Sequence, residues 1–322
     1  MSNTLRATAA AAVLVCLPMA VLAQSTVTLY GRINTTLESQ KRDGVRNTVV
    51  ADNASRFGFK GEEDLGGGMK AIFRLESGFR SDTGQTYDFE GTRKLFGREA
   101  TVGLSGGFGT VRLGQQAYLP AYLATADYVS MHNHDTGSSA DALFGGFLLS
   151  ARQSNSFSYT TPSFSGLTVE VARSLKEGVA GLPSSTDVAA NYDAGPLHLG
   201  AGYEKIGDDK LLALRALYEF GALTVGGYVE RDDFVVRGTR NNVRLSAMYT
   251  VGASEFHANA GSAGKFSKVA DSKAQQYTLG YNYNLSKRTK VYGYFTRVND
   301  NSADKIYTGN LNATAVGIRH NF

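Results

Sequence analysis

"SRFGFKGEEDLGGGMKAIFRLESGF", residues 55–79, reads as two strands joined by a turn. Phe57 and Phe59 alternate with Arg56, Lys60 and Glu62. Beyond the glycine run at 66–68, Ala71, Phe73, Leu75 and Phe79 alternate with Lys70, Arg74, Glu76 and Arg80. Period-two alternation around glycines is a hairpin signal. It does not say which face looks inward. In a soluble sheet the phenylalanines form the core and the charges meet water. In a membrane barrel the phenylalanines touch lipid and the charges line a wet interior.

The N-terminus bears on that choice. Residues 1–23 carry one charge, Arg6, then the apolar run Ala9 to Met19 and the small-residue end Val21-Leu22-Ala23. This pattern predicts a secretory signal peptide over 1–23, leaving 24–322 as a single barrel domain. A transmembrane anchor is the weaker reading, because the run falls short of the ~20 residues a spanning helix needs. The one cysteine, Cys16, lies inside this segment, so the exported chain is expected to have no disulfide.

Discounting Arg6, 32 of the 33 basic residues remain against 29 acidic ones, spread along the chain with no basic block. Nucleic-acid binding is therefore not expected. The 37 glycines, 17 tyrosines and 17 phenylalanines suit many strands and tight turns better than a helical enzyme.

The alternation predicts sixteen strands: 26–38, 53–63, 68–80, 94–105, 108–116, 151–161, 165–175, 185–194, 196–206, 209–220, 222–232, 240–252, 253–262, 273–284, 288–298 and 311–322. Connections after the even strands are short. Most of the others are long and polar, such as 39–52, 81–93 and 117–150, with a tight Gly207-Asp208 turn as the exception. That asymmetry puts tight turns at one end and loops at the other, as in outer-membrane barrels. Pro120, Pro162, Pro183 and Pro196 fall in connections or at a strand's first residue, so none interrupts a ladder. Val27, Leu29, Ile33 and Leu37 form one apolar face, and Val243, Leu245, Ala247, Tyr249 and Val251 another. A third comprises Tyr277, Leu279, Tyr281 and Tyr283; the faces of strand four stay ambiguous. With these features together, the phenylalanines of 55–79 are read as facing lipid.

At several places the chain resembles the Gram-negative porin family, in particular its beta-proteobacterial branch. The matching stretches are "STVTLYGRIN", "SRFGFKGEEDLGGGMKAIF", "GREATVGLSGGFGTVRLGQ", "NSFSYTTPSFSGL", "YNYNLSKRTKVYGYF" and the terminal "VGIRHNF". The resemblance implies an all-β, sixteen-stranded antiparallel transmembrane barrel with its third long loop folded inward. It also implies a homotrimer in the outer membrane of a Gram-negative bacterium, in contact with outer-membrane lipid and lipopolysaccharide. The solutes would be small ions and hydrophilic molecules, without a cofactor or enzymatic activity.

In such porins a ladder of basic side chains on the wall faces acids on the third loop. By motif position the wall residues here are Arg32, Arg56, Arg98 and Arg152, with Arg112 adding to the field. Where enteric porins have Pro-Glu-Phe-Gly-Gly, this chain has Ala142-Leu143-Phe144-Gly145-Gly146, so Leu143 supplies no charge. The acidic candidates are Asp127, Asp135 and Asp141. Outnumbered by arginines, they leave an expected weak anion preference. The resemblance also implies that the last strand, ending on Phe322, is read by the outer-membrane insertion machinery; His320 stands where an aromatic ring is more usual.

Other signals are set aside. His132, His134 and Asp135 in "MHNHD" could ligate a metal but read as a polar loop tip. "LGGGMK" and "GGFGTV" join strand to strand, without the helix N-terminus that a phosphate loop needs. The five histidines are dispersed, so Ser/His/Asp catalysis has no anchor in the sequence. The alternatives are an outer-membrane barrel enzyme (a protease or phospholipase) and a secreted β-rich adhesin, separable by detergent dependence and bilayer conductance.

Overall fold

The computed structural model describes residues 26–87, 94–117, 119–126, 128–133, 136–144, 152–176 and 183–322. The expected signal peptide at 1–23 and the candidates Asp127 and Asp135 lie outside the described residues.

Sixteen wall strands close on themselves. They are β1 (Thr26–Arg42), β2 (in two segments, Val45–Asp52 and Arg56–Gly66), β3 (Met69–Phe79), β4 (Glu99–Gly106), β5 (Gly109–Gln116), β6 (Gln153–Thr160), β7 (Leu167–Ser174) and β8 (Ser185–Ala194). Then come β9 (Leu197–Ile206), β10 (Asp209–Phe220), β11 (Leu223–Phe234), β12 (Gly238–Val251), β13 (Ser254–Ala263), β14 (Ala274–Asn284), β15 (Thr289–Asp300) and β16 (Leu311–Asn321). Each pairs antiparallel with the next, and β16 returns to β1 from Arg32↔Asn321 to Arg42↔Leu311. Closure removes the edge strands that would leave backbone groups unsatisfied in lipid.

The pleat sorts the side chains. On β12, Val243, Leu245, Tyr249 and Val251 are exposed on the outside while Arg240, Asn242, Arg244 and Ser246 are buried inside. On β1 the exposed Val27, Leu29, Ile33 and Leu37 alternate with Asn34, Thr36 and Glu38, each buried. Phe59 faces out and Glu76 is buried, so the opening hairpin takes the membrane-barrel arrangement. Near the short turns Tyr249 pairs with Phe256, and Phe256 with Tyr281, forming part of an aromatic girdle.

Three expectations need correction. The stretch 39–52 is not a loop but a continuation of β1 and β2 as a hairpin. Its turn is Asp43-Gly44, where φ values of 47° and 92° suit an aspartate and a glycine. Strand four starts at Glu99 and strand six at Gln153, so Arg98 and Arg152 end long connections rather than sitting on strands. With residues 94–98 removed, β4 alternates cleanly: Val102 and Leu104 point out, Glu99 and Thr101 in. Finally, the connection 117–150 contains structure of its own: a helix α1 (Pro120–Thr125) and 3-10 turns at Met131–Asn133 and Gly137–Ser139.

Candidate pore lining and constriction

The third long connection is bonded to inward-facing side chains on many strands. Helix α1 packs on β7 to β10, and the Ala121 N–H donates to Asp187 Oδ1 on β8 at 2.5 Å. Its seat on β9 is bare: a Cβ at Gly200 would lie 1.8 Å from the Ala124 carbonyl oxygen, and one at Gly202 2.7 Å from the Ala121 Cα. Ser138 donates to Glu38 on β1 at 2.5 Å and, through its N–H, bonds Tyr294 on β15 at 3.0 Å. The Ala142 N–H and the Ala140 carbonyl both meet the Gln276 amide on β14 at 2.9 Å.

His132 is not a polar tip. It is fully buried, with Nε2 3.0 Å from Asn282 Oδ1 and Nδ1 3.2 Å from Ser139 Oγ. Its ring lies against Gly280, where a Cβ would come within 2.5 Å of Nε2. The His257 ring is 5.0 Å away, centroid to centroid. Burial, with the neighbouring His257 second, pushes the His132 pKa down to about 3, so the imidazole is neutral. Among the described residues no group of three His, Cys, Asp or Glu could hold a metal ion.

The sequence-predicted residues do not form one cluster. Arg32 and Arg56 are direct cross-strand partners, half-buried, and both border a cavity of about 510 Å³ between connection and wall. Arg98, buried, bonds Glu76 Oε1 through Nε at 2.5 Å and borders a second cavity of about 230 Å³. Arg152 is buried at 8 % exposure. Asp141 sits against β11 and β12, at least five strands around the wall from Arg32 and Arg56. Its Oδ1 is 2.9 Å from Arg244 Nη1 on β12, and its Oδ2 accepts from the Tyr228 hydroxyl at 2.6 Å. Leu143 is buried against Ala263 and Ala274, and its carbonyl accepts from Arg240 at 2.9 Å. Residues 142–144 of the stretch compared with the enteric motif are thus an anchor, and the Leu143 side chain fits an apolar pocket.

Other residues complete the lining. The larger cavity also has Lys290 and Arg319 on its wall, with Glu255 as the acid among the described residues. Glu255 itself lies 3.0 Å from Lys290 Nζ. The smaller cavity alternates in sign: Arg98 with Glu76, Arg74 with Glu99 at 3.4 Å, Arg112 with Glu170 at 3.7 Å. Arg319, Arg74 and Glu76 were legible, since each follows an outward apolar residue by one position. Glu170, after Val169, carries the same signal, whereas Lys290 follows Thr289 and is marked only by the outward Val291 after it.

A closed barrel of sixteen antiparallel strands, apolar outside and lined with charged and polar side chains, defines the class of membrane-spanning channel barrels. The Gram-negative porin model matches residues 7–303. Outer membrane porin protein 32 of Delftia acidovorans is 31% identical, over 94% of this chain and 96% of that protein. An outer membrane porin protein of Bordetella pertussis is 28% identical, over 97% of this chain and 98% of that one. Among solved structures, the anion-selective porin from Comamonas acidovorans superposes with a TM-score of 0.74 at 27% identity, covering 93% of this chain and all of that one. The chain belongs to the Gram-negative porin family: it is an outer-membrane channel, not an enzyme.

Proposed function

We propose that this channel is weakly anion-selective and that Arg32, Arg56 and Arg319 set its selectivity. The observation that carries the reading is the lining of the larger cavity. Three guanidiniums and one ammonium share it with one carboxylate among the described residues. Guanidiniums stay protonated at any working pH, so the field persists across neutrality. Fixed positive charge in a narrow low-dielectric passage raises the local anion concentration. Arg98 and Arg152 contribute less, Arg98 because it is compensated by Glu76 and Arg152 because it is buried. Asp141 opposes Arg244 rather than this field. The working unit is a homotrimer in outer-membrane lipid and lipopolysaccharide, inserted by the outer-membrane machinery that reads the strand ending on Phe322.

The test is the reversal potential of the purified protein in planar bilayers under a salt gradient. An anion preference is expected at 0.1 M, fading as the screening length falls from about 10 Å to about 3 Å at 1 M. The combined Arg32→Ser, Arg56→Ser and Arg319→Ser variant should move toward cation preference. A wild-type channel that prefers cations, or an unchanged triple variant, overturns the assignment.

A further inference from the structure

Of the two cavities described above, Arg56 and Leu123 border both, and no other described residue does. They therefore stand where the two cavities adjoin. Leu123 is unusual for its place. In the described part of the connection, Leu119, Tyr122, Val129, Leu143 and Phe144 are buried and Met131 is half-buried. Leu123 and Tyr128 instead stand 44% and 41% exposed, on the side of the cavity that faces the arginines. Exposed large apolar groups on a lining that also carries four cations are the observation to explain. The Tyr128 ring is also held in place, with the Arg215 guanidinium 5.4 Å from its centroid.

We propose that the neck is amphiphilic, Leu123 and Tyr128 offering an apolar strip opposite the cationic wall at Arg56, and that it favours organic anions bearing an apolar body, such as aromatic or short aliphatic monocarboxylates. The carboxylate meets the guanidiniums while the hydrocarbon lies along Leu123 and Tyr128. A hydrophilic anion of similar size gains only the first contact, and leaves the apolar strip in water. This inference rests on the anion-selective reading and adds the class of anion to it.

Benzoate and gluconate are the probes, both fully ionised at pH 7.5. Bi-ionic reversal potentials against chloride give their relative permeabilities in the wild-type channel and in Leu123→Ser, Tyr128→Ser and the double variant. The wild-type benzoate-to-gluconate ratio should exceed that of the double variant by roughly threefold to tenfold, the scale set by covering a modest apolar area. Chloride-over-potassium selectivity should stay unchanged. Both side chains are exposed, so their loss leaves the fold intact. Leu123→Met, which keeps the apolar surface, should keep the wild-type ratio. An anion-selective channel whose ratio is the same in wild type and double variant overturns the amphiphilic neck alone. A wild-type cation preference overturns the underlying anion reading instead.

Discussion

His132 shows how one residue can be misread from its neighbours. "MHNHD" is polar, and nothing in the string says that the chain carries the first histidine onto a wall glycine 148 positions away, Gly280. The signal lay in two distant places: a glycine in a strand otherwise rich in large residues, and a histidine without a sequence partner. The buried imidazole has an acid-side consequence. Its value in the packed loop, about 3, lies below the ordinary 6.5, so the detached loop binds the proton throughout that window. Anchoring is therefore complete above 6.5 and weakens as the pH falls, by about 1.4 kcal/mol per unit from this group. Asn282, Ser139, His257, Glu255 and Lys290 face or surround the ring, and its direct hydrogen-bond partners, Asn282 and Ser139, are neutral. Limited proteolysis or thermal unfolding between pH 7 and 4 should show a steeper acid loss in wild type than in His132→Gln. Equal slopes would remove the histidine from the account. Arg98 teaches the complementary lesson: its motif was legible, but its pairing with Glu76 depends on a register between strands that no local pattern encodes.

At the scale of elements, the strands were readable and the third connection was not. A wall strand meets lipid on one face and water or loop on the other, so every second residue repeats the information, and errors at the ends cost little. Where the alternation ran on past the expected end, as from Ser39 to Asp52, only the Asp43-Gly44 turn told hairpin from loop. The connection 117–150 has no such repeat. The conformation of its described residues follows from contacts with strands β1 and β7 to β15, each remote in sequence. Outward positions should obey lipid rules. Leu245, 67% exposed at mid-strand between Gly227 and Ala260, is a suitable probe. Leu245→Arg should lower the stability of the inserted barrel by about 2–4 kcal/mol. Reversible unfolding from lipid vesicles would measure it. A neutral result would place that face out of contact with hydrocarbon.

For the whole molecule, the final step is closure. The Phe322 N–H and carbonyl exchange hydrogen bonds with Gly31 at 3.1 and 3.0 Å, and its ring occupies the space a Cβ at Gly31 would need, 2.4 Å from Cζ. Deleting Phe322 should sharply reduce the folded, heat-modifiable fraction recovered from membranes, and Gly31→Val should do so with the terminus intact. Normal yields of both would show that the last residue is dispensable for sealing the ring. Sealed, the wall is a hollow cylinder, which resists compression poorly across its width. The connection that leaves β5 is fastened to Asp187 on β8 and to Glu38 on β1, seven strands apart in a ring of sixteen and so nearly opposite. It spans the bore as a tie-rod spans a pipe. Sideways pressure from a stiff or crowded bilayer would flatten an unbraced tube into an oval. Here that distortion would have to stretch or crush the brace, so the segment fastened to both walls keeps the cross-section round.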